Sequence, residues 1–89
     1  MANDEEELVE ALKRFRVADV LVSMLTTVSS VAWQRLSEED RDLEQARLAI
    51  ETLRAVVPLL GDAVEAELVR DLEQVTANLQ LAYANAIAP

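Results

Sequence analysis

The side chains that could do chemistry here are almost all carboxylates. Seventeen Asp and Glu stand against eight Lys and Arg in 89 residues, and both Cys and His are absent. That absence excludes disulfides, thiol chemistry, Cys/His zinc sites and a histidine general base. Ser–His and Cys–His nucleophile systems go with them, as do the Glu-x-x-His pairs of di-iron bundles. Carboxylate-only catalysis remains, and the densest cluster, Asp4-Glu5-Glu6-Glu7, does not suit it. Successive positions on a helix start point in different directions and do not converge on one ion. The same acids are favoured by the positive end of a helix dipole. The chain is therefore read as non-catalytic, with no cofactor and no metal.

Other polar features carry equally plain readings. Arg47 is expected to form an exposed ion pair with Glu44, Glu51 or Asp40, worth little. A bridge to Asp19 or Asp42 that fixes helix register is the alternative. Ser23, Thr26, Thr27 and Ser30 form a strip of small hydroxyls. Such a strip lets helices approach closely, so this side is expected to turn toward a partner. Trp33, the only tryptophan, is expected to anchor an interface.

The elements that position these residues follow from composition. Hydrophobic residues make up 52% of the chain and aromatics only 3%, with one Gly and two Pro. So little turn punctuation predicts long helices in one small domain. A formal charge of −9 opposes nucleic acid and anionic lipid. The opening MANDEEE lacks the basic region and apolar core of a secretory signal. The apolar run 17–33 is short for a membrane span and carries Asp19 and five Ser or Thr residues. A cytoplasmic, soluble protein is expected, with no nucleic acid and no membrane as partner.

Residues 1–16 read as an acidic N-terminal helical arm. Asn3 caps it, and Leu8, Ala11, Leu12 and Phe15 form a narrow apolar stripe. Residues 17–89 read as the bundle, with helices at about 17–36, 38–57 or 60, and 62–87. At about 100° per residue, Val17, Ala18, Val20, Leu21, Val22, Met24, Leu25, Val28, Val31, Ala32 and Trp33 cover roughly 220° of the first of these. The arm's stripe is centred about 120° away from that arc, which predicts a break between Phe15 and Asp19. Ser37 is the expected cap of the next helix, with Asp40 as box partner. Leu43, Ala46, Ile50, Leu53, Val57 and Leu60 face inward there, while Leu48, Ala55 and Leu59 make a thinner stripe behind. Pro58 kinks or ends that helix, and Gly61 stops it. Asp62 and Glu65 are expected to cap the last helix. Its inward stripe runs Val64, Leu68, Leu72, Val75, Leu79, Ala82 and Ala86, with Tyr83 at the rim and Leu81 facing away.

The segments Val17-Ala18-Asp19-Val20-Leu21-Val22 and Asp42-Leu43-Glu44-Gln45-Ala46-Arg47-Leu48-Ala49-Ile50-Glu51-Thr52-Leu53, with Ala32 and Leu36 between them, resemble the bacterial family catalogued as domain of unknown function 1844. The closing Leu79-Gln80-Leu81-Ala82-Tyr83 looks like its actinobacterial branch. The likeness runs from about Val17 to Ala86. Many members carry a Lys-Thr and Gly-Asn run between the last two helices. This chain has Pro58-Leu59-Leu60-Gly61-Asp62 there instead. The resemblance implies a small helical bacterial protein and brings no activity with it.

The expected fold is thus all-α: a small antiparallel bundle of three long helices plus a short N-terminal helix, completed by oligomerisation. The expected function is a homo-oligomeric adaptor or regulatory subunit, most simply a homodimer. Its interface is assigned to Val17, Val20, Leu21, Met24, Leu25, Val28, Val31, Trp33, Leu48, Ala55 and Leu59. Two other readings stand beside it: a helical pocket for an apolar ligand, and an acidic accessory subunit that docks on a basic protein.

Overall fold

In the computed structural model, which describes residues 4–89, the chain forms four α-helices. They are α1 (Asp4–Lys13), α2 (Val17–Leu36), α3 (Leu43–Val56) and α4 (Ala66–Ile87), with a 3-10 turn at Val57–Leu60. No strand occurs among the described residues. α2 packs most extensively on α3, and α4 lies against both. The core between them is built from Leu25, Ala32, Leu36, Ala46, Ile50, Leu53, Val57, Leu60, Leu72 and Leu79. The fold is an all-α bundle.

The helix ends follow from local bonds, and two differ from expectation. α1 closes with tight i→i−3 bonds, Arg14 N–H to the Ala11 carbonyl and Phe15 N–H to the Leu12 carbonyl, each 3.1 Å. Arg16 is extended and α2 begins at Val17, so the break falls within the expected Phe15–Asp19 interval. The cap expected at Asn3 lies outside the described residues.

Helix α3 starts at Leu43, not at residue 38. The Ser37 hydroxyl accepts the Asp40 N–H at 3.3 Å, as a box would, but it also donates to the Gln34 carbonyl at 2.7 Å. That second bond ties it to the end of α2. Asp42 N–H then reaches the Arg35 carbonyl at 2.9 Å, and the Arg41 guanidinium donates to the Leu36 carbonyl at 2.9 Å. Both satisfy orphan carbonyls of the α2 terminus. The true cap is Asp42, whose carboxylate accepts the Gln45 N–H at 3.2 Å.

Pro58 has no N–H to continue an α-helix, and the chain tightens into the 3-10 turn there. Gly61 reverses it at φ 47°, a conformation that costs glycine little. The last helix begins at Ala66, not at residue 62. Residues 62–65 carry the chain around the turn, and the Glu65 side chain makes no cap bond. Val64 and Val69, at the N′ and N4 positions of a hydrophobic staple, both pack on the core and set the entry of α4.

No residue of α1 is buried, and α1 packs on no other described element. The molecule measures 61 × 31 × 16 Å, although its longest helix rises only about 33 Å. Its radius of gyration is 16.3 Å, against about 12 Å for a compact chain of this length. The arm projects.

Candidate interaction surface

Helix α2 is apolar on more sides than the bundle encloses. Its buried line is Ala18, Leu25, Ser29, Ala32 and Leu36. Leu21, Val22 and Val28 pack on the core from the shoulders. The core direction is therefore turned about 40° from the centre of the apolar arc, toward Ser29. The Ser29 hydroxyl donates to the Leu25 carbonyl at 2.8 Å, so its burial leaves no orphaned donor. With Ala18 and Ala32 it forms a line of small residues on which neighbouring helices can settle closely.

This turn decides the fate of the expected interface residues. Leu25 is 0% exposed, a core residue enclosed by its own chain, and its assignment to an interface is corrected. Leu21 and Val28 are half-buried. Val17, Val20, Met24 and Val31 are exposed along one edge of α2, Val17 as much as 76%. Leu48, Ala55 and Leu59 are exposed on α3 and its 3-10 turn. Trp33 is exposed too, but it lies roughly 160° around α2 from Val31 and does not share that edge.

The edges of α2 and α3 meet. Between them runs an open groove of about 230 Å³, with Val28, Val31, Leu48 and Ala49 as its walls. Thr27, Gln45 and Thr52 rim it, and no charged residue lines it. Exposed Val20 and Met24 continue the α2 edge beyond the groove, and exposed Ala55 continues that of α3. At the groove, two stripes that are separate in sequence meet.

At its upper end the groove runs into the link between α2 and α3. There Arg35 and Arg41 stand among Glu39, Asp40 and Asp42. Arg35 was not singled out in the sequence, although it shares the wheel angle of Val17. Gln45, also not singled out, lines both the groove and this polar end. Its place as N3 partner of the Asp42 cap was a readable signal.

The hydroxyl strip is exposed and bonded to its own helix. Thr26 donates to the Val22 carbonyl at 2.9 Å, Thr27 to Ser23 at 3.1 Å and Ser30 to Thr26 at 3.1 Å. No described residue covers it. Arg47 pairs with Glu51 at 3.1 Å across one helical turn, the plain reading; no bridge links it to Asp19 or Asp42. Among the described residues no three carboxylates lie close enough together to hold a metal ion. Helix α2 meets the length and composition of a membrane span, while its buried line is the bundle's own core.

These features define a class, an all-α bundle with one projecting helix and one bare apolar face. No family model, curated protein or solved structure matches the chain.

Proposed function

We propose that the protein is a non-catalytic helical interaction module that works as a homo-oligomer, in the simplest case a two-fold dimer. The observation that carries this is area. The chain exposes 6690 Å², whereas a compact monomer of 9.9 kDa exposes about 5200 Å². The excess is about 1500 Å², and a standard interface removes about 800 Å² from each partner. The projecting arm, which packs on no other described element, contributes to that excess. The large apolar side chains left bare include Leu8, Leu12, Val17, Val20, Met24, Val31, Leu48 and Leu59, and exposed apolar residues grouped in this way mark an association site.

Protein is favoured over lipid as the partner because α2 carries Asp19 and a wet hydroxyl strip, and because a −9 chain is repelled by anionic membranes. The groove falls below the roughly 300 Å³ at which small-molecule sites begin. It is also open, so an apolar ligand would stay half wet there.

Sedimentation velocity at micromolar concentration tests the proposal. A species of twice 9.9 kDa is expected, and Leu48→Glu should return it to the monomer mass while the helical signal persists. Wild-type protein that sediments as a monomer across the micromolar range overturns the proposal.

A further inference from the structure

We infer that α1 is an exchanged arm, which seats its Leu8–Leu12–Phe15 stripe in the α2–α3 groove of a second copy. The inference rests on the homo-oligomer reading above and says what its interface is made of.

Leu8 and Leu12 lie one turn apart on α1 and Phe15 just past its end, and they are 60%, 57% and 60% exposed. A helix of ten residues is shorter than the roughly 12–15 that water supports in isolation. α1 therefore needs a surface over that stripe, and the groove is the matching vacancy. From Leu8 to Leu12 is four helical steps, about 6 Å, which fits within the roughly 10 Å from Gln45 to Thr52 along the groove. The uncharged lining sets no carboxylate against an acidic arm.

The arm cannot reach the groove of its own chain. Only Arg14 to Arg16 separate α1 from α2, and the Arg16 guanidinium donates to the Ala63 carbonyl at 3.3 Å, fastening the joint. Folded back along α2, Leu8 would come level with about Val22, and the arm's first residue with about Thr26. Val31 stands about 21 Å from Val17 along the axis, beyond both. The groove of a second copy is free of the limit that this short joint imposes.

The natural chain has no cysteine, so two introduced thiols report on this contact alone. Full-length Leu12→Cys and Leu48→Cys variants, one carrying a size tag, are mixed, equilibrated and oxidised, and their masses are read under non-reducing conditions. Arm exchange gives a disulfide-linked mixed dimer, with little cross-linking of either variant alone. Because α1 packs on nothing within its chain, Leu12→Cys leaves the bundle folded, which the helical signal checks. A dimer by sedimentation that forms no mixed disulfide overturns the arm and leaves the homo-oligomer reading standing. An intrachain disulfide in the doubly substituted chain does the same. A monomer overturns both.

Discussion

Two sides of α2 look alike in sequence and behave differently in the fold. One side, Ala18, Leu25, Ala32 and Leu36, is closed by α3 and α4. The other, Val17, Val20, Met24 and Val31, is bare. By hydrophobicity alone the second side is the better core, since it has Val and Met where the first has Ala and admits Ser29. The difference lies in size. Helices settle where small residues let them come close and dispersion contacts are dense, and larger apolar residues are left at the edge. A broad apolar arc therefore marks a helix that needs more than one neighbour. The position of its small residues marks which neighbour is its own chain.

Neighbouring residues 24 and 25 put this contrast to the largest test. Leu25→Ala removes a fully buried side chain and is expected to cost about 3 kcal/mol, within the range of large-to-small core substitutions. Met24→Ala removes a longer side chain from the exposed edge. It is expected to cost the isolated chain under about 1 kcal/mol while weakening self-association. Urea unfolding of both variants, run at several protein concentrations, separates the two effects. Equal losses that do not depend on concentration would erase the distinction between the two sides.

The composition made the class of fold legible: almost no Gly or Pro, no Cys, and apolar residues at helical spacing. The inward stripes of α3 and α4 were legible too, because each is narrow and admits only one facing direction. Leu25 was misplaced for the opposite reason. On an arc of roughly 220° the sequence pattern does not say which part faces inward, and it ranked apolar Leu25 with its bare neighbours. The helix starts failed through competition. Ser37 and Asp62 both have cap chemistry, but Ser37 is bound back to α2, and Val64 is drawn into the core. That the α2 and α3 stripes meet at the groove depends on register across the link, a tertiary fact.

That register depends on where α3 begins, which gives the next test. Asp42 holds the Gln45 N–H at 3.2 Å at the start of α3, whereas Ser37 caps only a bend. Asp42→Ala is expected to cost about 1 kcal/mol, the usual loss of an N-cap, and Ser37→Ala roughly half of that. Because α3 carries Leu48 into the groove, the Asp42 variant should also loosen the dimer slightly. Thermal unfolding ranks the two, and the reverse order would return the helix start to residue 38.

The smallest effect belongs to Arg47, next to Leu48 in sequence. Its guanidinium pairs with Glu51 at 3.1 Å, but the two side chains are 68% and 56% exposed. Water screens such a pair, and its gain barely exceeds the entropy lost in ordering two long side chains. Arg47→Ala is expected to change stability by at most about 0.5 kcal/mol. That small change should fade further in 1 M salt, where the screening length falls to about 3 Å. Mass by sedimentation should stay at the wild-type value. The Leu48 side chain is apolar and exposed, yet its substitution by Glu should halve the mass. If Arg47→Ala also dissociated the protein, the bare face would extend past the apolar groove onto the charged flank of α3. Its recognition would then be electrostatic, and dissociation by salt alone would follow.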